Sequence, residues 1–237
     1  MKKIVLLIIV SVGIISCTKN QKPSGIWISV KDKPMTSKNG YLRDFKSLIL
    51  DFEKLEFSNL STSQDSIIKF EVDPNNNNLS QPGDTANVGY TIYNKDSLEL
   101  NFDFLNLTLV LVPLNLEFEL NSSKTAITEY LFNNEFKLVR DTMKLNFSNE
   151  YFSNEYFTKG IKNKRILKSK FLKNKEFVGY WYIGQKNKNY FLVCNFDPYG
   201  THESIYQITE FQKTKITLKG ILTEGFGKKI TELETNI

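Results

Sequence analysis

Residues 98–104 read Leu-Glu-Leu-Asn-Phe-Asp-Phe, and residues 114–120 read Leu-Asn-Leu-Glu-Phe-Glu-Leu. In both stretches every second side chain is apolar and the ones between are acids or amides. A strand sends alternate side chains to opposite faces, so this pattern makes a β-strand with one face on a core and one in water. Between them, Leu107-Thr-Leu-Val-Leu-Val112 is apolar on both parities apart from Thr108. That run is expected to be buried on both faces or to contact a ligand.

Working outward, the same reading predicts strands over 25–31, 47–53, 55–60, 66–72, 87–94, 97–104, 106–112, 114–120, 126–132 and 135–139. Turn chemistry separates them: Asp73-Pro-Asn-Asn-Asn-Asn78, Gln81-Pro-Gly-Asp84, Asn94-Lys-Asp96, Asn121-Ser-Ser123 and Asn133-Asn134. Residues 39–47, with Tyr41, Leu42 and Phe45, read as a short helix. A second set of strands is expected over 177–184, 189–196, 203–211, 214–222 and 226–233. Short strands joined by regular turns make an all-β protein, an antiparallel meander barrel followed by a smaller antiparallel β segment. Residues 141–176 then form a linker, in which Phe-Ser-Asn-Glu-Tyr occurs twice, at 147–151 and 152–156. The repeat is too short for a solenoid period and reads as amphipathic helix or irregular chain. The second segment, 177–237, is short for a barrel of its own. It is either a partial repeat or takes part of 141–176 to complete itself.

Each segment carries a Gly-X-Trp near its start, Gly25-Ile-Trp27 and Gly179-Tyr-Trp181. A Gly-X-Trp on the first strand resembles the lipocalin-like (calycin) group. The resemblance implies an eight-stranded barrel over 25–140, with Trp27 packed across its base and Trp181 in the matching place of the second segment. Barrels of this size hold one small ligand or are filled by side chains, so the expected partner is a small apolar molecule or none.

The start of the chain carries a separate signal. Lys2 and Lys3 precede an apolar run, Ile4–Ile15, and then Ser16-Cys17. A run of about a dozen residues is short for a membrane span, which takes about 20, and the pattern is that of a secretory signal. Ile14-Ile-Ser-Cys17 resembles the lipobox of bacterial lipoproteins, here of the Bacteroidota type. The resemblance implies removal of residues 1–16, lipidation of Cys17, a polar tether over 17–24, and a membrane held through the lipid anchor. Thr18 after the cysteine implies the outer membrane. The basic Thr18-Lys-Asn-Gln-Lys22 implies its periplasmic face.

Composition bounds the rest. The chain has 237 residues, 41% of them hydrophobic and 13% aromatic, which is enough for a substantial core. With Cys17 acylated, Cys194 is the remaining cysteine, so no internal disulfide forms. Lying in Tyr190-Phe-Leu-Val-Cys-Asn-Phe196, it reads as a small buried hydrophobe. The net charge is +5, and the excess is concentrated: residues 159–175 carry eight basic and no acidic side chains. Ile161, Ile166, Leu167, Phe171 and Leu172 give this stretch a partial helical stripe. It is a solvated linker, a contact for anionic lipid or polymer through Lys162, Lys164, Arg165 and Lys168, or a surface for an acidic protein partner. Nucleic acid is not an expected partner in the envelope.

The chain contains no Gly-rich phosphate loop, no His/Cys metal spacing and no Gly-x-Ser-x-Gly elbow. His202, Glu203 and Ser204 are adjacent, and neighbours on a strand face opposite ways, so they make no relay. Glu117 and Glu119 share a strand face about 7 Å apart, which reads as a solvent face before a carboxylate pair. No catalytic residue, metal site or cofactor is expected. The function expected is non-enzymatic binding of a small ligand, with a protein-interaction module (immunity or assembly accessory lipoprotein) as the alternative.

Overall fold

A computed structural model describes residues 21–33, 47–60, 67–83, 87–137, 143–152, 164–170, 176–196, 203–223 and 230–235. The protein is all-β, with two antiparallel, nearly closed barrel-like sheets. The first contains β1 (Ile26–Lys33), β2 (Leu48–Asp51), β3 (Glu56–Asn59), β4 (Ile68–Lys69), β5 (Glu71–Asp73), β6 (Asn78–Ser80), β7 (Asn87–Asn94), β8 (Ser97–Phe102) and β9 (Leu107–Pro113). It is a meander in which β9 returns to pair with β1. The seam lies between β4 and β5, separated by Phe70 alone: β4 pairs with β3 and β5 with β6. They are two halves of one bent strand, and the barrel is effectively eight-stranded. Its strands alternate as their sequence alternates. Leu98, Leu100, Leu107, Leu109 and Leu111 point inward with Trp27, Leu48, Leu50, Phe52 and Tyr90. On the outer side of β9, Val112 packs against the second barrel.

The second sheet runs β10 (Glu135–Lys137), β11 (Lys144–Tyr151), β12 (Arg165–Lys170), β13 (Glu176–Lys186), β14 (Asn189–Asn195), β15 (Glu203–Phe211), β16 (Lys215–Leu222) and β17 (Glu232–Glu234) in chain order. A bridge between Phe136 and Thr235 brings its two edges together. The second segment is therefore completed by part of 141–176, the second of the two expectations, and extends further back than expected. It takes β11 and β12 from the expected linker and β10 from the expected first domain. Its Trp181 lies on the fourth strand of its sheet, not the first. The expected strand over 126–132 is a helix, α1 (Lys124–Phe132), capped by Ser123, whose Oγ accepts from the Ala126 N–H at 3.0 Å. Its Ile127 and Leu131, one turn apart, are fully buried in the second core. Those residues alternate by four, which a strand reading overlooks.

Residues 114–120 keep the alternating exposure expected of them but join no ladder. They cross from one barrel to the other, and side-chain amides stand in for a partner strand. Asn189 Nδ2 donates to the Leu116 carbonyl at 2.8 Å and Gln207 Nε2 to that of Asn115 at 2.7 Å. Both amides are buried, where an unmade hydrogen bond is costly.

The barrels lie side by side. Ile28, Ile49 and Leu60 of the first meet Tyr180, Tyr182, Phe191, Val193 and Ile205 of the second. Every residue of β14 is buried, because one face lines its own barrel and the other meets its neighbour. Polar contacts border this seam. Ser47 Oγ lies 3.3 Å from the Tyr182 hydroxyl, and Lys186 Nζ lies 3.9 Å from Asp51 Oδ2. Residues 39–46 of the expected helix, and most of the second copy of the five-residue repeat, lie outside the described residues.

Candidate functional site

The two barrels have different interiors. In the second, α1 and an edge-to-face series of Phe136, Phe147 and Trp181, with ring centroids 5.5 and 5.3 Å apart, belong to the buried core. Trp181 is fully buried, and its Nε1 donates to the Ser148 carbonyl at 3.0 Å. In the first, a cavity of about 210 Å³ remains. Among the described residues its walls are Leu48, Leu50, Phe57, Phe70, Leu79, Val88 and Leu100, and its rim is Ser80, Gln81, Phe102 and Phe104. Among the described residues no lining side chain is charged. Phe104, on a single 3-10 turn (Asp103–Leu105), is 62% exposed and stands edge-on to Phe102.

The opposite end of this barrel is crossed by the chain itself, which with Ile92–Lys95 and Pro113–Asn115 borders a second, more polar space of about 680 Å³. Gln21–Gly25 runs across the base, where Pro23 is buried. Tyr90 donates to the Gln21 carbonyl at 3.4 Å and Trp27 Nε1 to that of Ser24 at 2.7 Å. Gly25 takes φ +76°, which a side chain would disfavour, and so turns the chain from the base into β1. Trp27 is buried, as Trp181 is. It packs into the core at the base without lining the cavity. The apolar run 107–112 is thus divided, one face toward the barrel core and Val112 toward the second barrel.

Among the described residues of the expected basic surface there is no helical stripe. Residues 165–170 are strand β12, so their side chains alternate in direction. Lys164 is buried, with Nζ 4.2 Å above the Tyr180 ring. Arg165 donates to the Asn149 carbonyl at 2.9 Å and lies against Tyr151. Lys168 is exposed, and Lys162 lies outside the described residues. Lys164 and Arg165 are thus engaged within the fold, and alternation along β12 sets Arg165 on the parity opposite to Lys168.

Beneath Lys164 sits a buried acid. The Tyr180 hydroxyl donates to Glu203 Oε2 at 2.7 Å, and both residues are buried. Burial, then the neighbouring carboxylate, pushes the Tyr180 phenol well above its ordinary range. Cys194 is buried, and its thiol is raised far above its usual range by desolvation first and Glu203 second. Such a thiol is not a nucleophile at neutral pH. Tyr206 is raised in the same way, mainly by burial. All three keep their protons in the fold and release them when unfolded, from pH values near 9.0 for the cysteine and 10.0 for the tyrosines. The folded state then binds more protons than the unfolded one, and the stability from these groups, complete below pH 9, falls as pH rises beyond it. Urea midpoints at pH 8, 9, 10 and 11 are expected to be level at first and then to drop. A flat profile to pH 11 would contradict the buried, protonated assignment.

Glu117 and Glu119 are exposed on the crossing segment, each with a local partner, Asn115 and Lys188. Asp73-Pro-Asn-Asn-Asn-Asn78 is the β5–β6 turn, held by Asp73 Oδ1 accepting from the Asn75 N–H at 2.9 Å. His202 lies outside the described residues. Among the described residues no group of three His, Cys, Asp or Glu side chains is placed to hold a metal ion, and no helix is long and apolar enough to cross a membrane. Compared with known proteins, the chain matches no family model, no curated protein and no solved structure.

Proposed function

We propose that this chain is a lipoprotein anchored at the outer membrane through Cys17, and that its first barrel binds a small apolar ligand without chemical conversion. The observation that carries the ligand reading is the cavity of about 210 Å³ in the first barrel, whose described lining is uncharged. An interior of this size either holds one small ligand or is packed solid, and the first barrel has room for a ligand. The lipocalin-like reading rests on Gly25-Ile-Trp27, the anchor on Ile14–Cys17, and the periplasmic face of the outer membrane on Thr18 and the basic Thr18–Lys22 stretch.

Calorimetric titration of the chain from Thr18 onward with octanoate tests the binding reading. That chain contains every described residue of both barrels. Saturable binding with one site per chain is expected. No heat with octanoate, hexanol or phenylethanol would sink the reading and favour the alternative, a protein-interaction module acting through its surface. The anchor has its own test. The chain with Cys17 is expected to take up an alkynyl fatty acid in its host and to sediment with membranes, and Cys17→Ser is expected to lose the label.

A further inference from the structure

The strand register tells which way the cavity faces. At one end of the first barrel, Ile26 pairs with Asp51, Trp27 with Pro113, and Asn94 with Ser97. At the other, Phe102 pairs with Leu107 and Ser80 with Asn87. The first end is the one crossed by Gln21–Gly25. The second carries the cavity rim, with Phe104 and Gln81 exposed on it. The two are separated by the length of β9, seven residues, or about 20 Å of strand.

Trp27, Phe52, Leu98 and Leu111 belong to the barrel core yet do not line the cavity. The base carries a separate, more open space, bordered by Gln21–Trp27 and Ile92–Lys95, which shares no described lining residue with the cavity. The cavity is therefore reached from the rim. Its volume sets a limit on what enters. A dry cavity of about 150 Å³ holds a benzene ring of six carbons, so 210 Å³ corresponds to about eight carbons or one substituted ring. Among the described lining residues, the polar side chains lie at the rim, Ser80 half-buried and Gln81 exposed. A polar group carried deeper would lose its hydrogen bonds to water and find none in return.

Building on the ligand-binding reading above, we propose that the first barrel takes one short apolar group, end-on, through the rim turned away from Gln21–Gly25. The ligand is a free amphiphile with an apolar end of about eight carbons or one ring, whose head stays outside beside Ser80 and Gln81. Because Gln21 is only four residues from Cys17, the base faces the anchored side and the rim faces away from it. The ligand then arrives from the aqueous side, and the chain's own acyl groups lie at the opposite end of the barrel.

A homologous series of alkanoates from four to fourteen carbons, titrated into the chain from Thr18 onward, tests the length limit. Affinity is expected to rise about fourfold per methylene up to about eight carbons and then level off. Octanol and octanoate are expected to bind within about threefold of each other, because the head is outside the cavity. Val88→Phe, a half-buried wall position, is expected to weaken octanoate at least tenfold while the circular dichroism stays unchanged. Leu100→Phe gives a second reading should that variant fail to fold. Affinity that keeps climbing through fourteen carbons, or a strong preference for one head group, overturns this inference and leaves the ligand-binding reading standing. No binding at any length overturns both.

Discussion

Trp181→Ala is expected to lower the stability of the protein by about 4 kcal/mol, read as a fall in the urea midpoint. Deleting a buried aromatic removes its transfer energy and leaves a cavity that the surroundings fill only in part, typically costing about 3–5 kcal/mol. Trp181 meets the conditions for the upper part of that range. It is fully buried, among the largest such side chains, and lies edge-on to Phe147 at 5.3 Å. Strands flank it on both sides, with Arg165 and Cys194 as register partners, so the backbone has little freedom to collapse. Its removal also strips the Ser148 carbonyl of its indole donor. Trp181→Phe separates the contributions. It retains most of the ring and is expected to lose only about 1–2 kcal/mol, the hydrogen bond and part of the volume. Equal losses for the two variants would mean that the core at this point is not packed as described.

Gly184→Ala is expected to destabilise the junction of the two barrels by about 2 kcal/mol, within the range for overpacking a well-filled contact. A Cβ at Gly184 would stand 2.8 Å from Leu60 Cβ and 3.1 Å from the Leu60 backbone oxygen. Neither of those atoms is the far end of a flexible side chain, so a whole segment of the first barrel must shift. The nearby Lys186–Asp51 contact and the Ser47–Tyr182 contact would move with it. The expected signature is a lower midpoint together with a reduced slope in urea, as cooperativity between the barrels weakens. Gly220→Ala is the comparison. There Gly220 is exposed, and the obstructing atom is the methyl of half-buried Thr223, just past β16, at 2.6 Å, which can rotate away. A loss at Gly220 equal to that at Gly184 would argue against a rigid junction.

The all-β class was legible in the alternation of Leu98, Leu100 and Phe102, because a sheet with one wet face imposes that period directly. The barrel boundaries were not. Ladder formation is a property of pairs, and nothing local in Arg165–Lys170 says that Leu145 will lie opposite Ser169. The charge of that stretch drew attention to its lysines, whereas Leu167 and Ser169 on the other parity are the residues that face the core. Residues 114–120 show the converse. Their alternation is that of a strand, but Asn189 and Gln207 supply the partners, and these side chains lie more than 70 residues away. Helix α1 did leave a signal, Ser123 followed by Ile127 and Leu131, which nine residues of mixed β-branched and aromatic composition obscured. The cavity had none. Whether an eight-stranded barrel is hollow depends on the summed volumes of side chains from strands far apart in sequence.

The closing contacts of the two meanders set an order of events for folding. Nearly every ladder joins neighbours along the chain and can form as a hairpin with a small loss of chain entropy. Two contacts are different. Ile28 must find Val112 to close the first barrel, and Phe136 must find Thr235 to close the second. Until then each sheet presents two open edges, and open edges recruit other chains. For a chain synthesised from its N-terminus, the first barrel can shut long before the second has its last strand. The interval before Thr235 arrives is when β10 and β16 stand unguarded, and it is then that a chaperone would have most to protect.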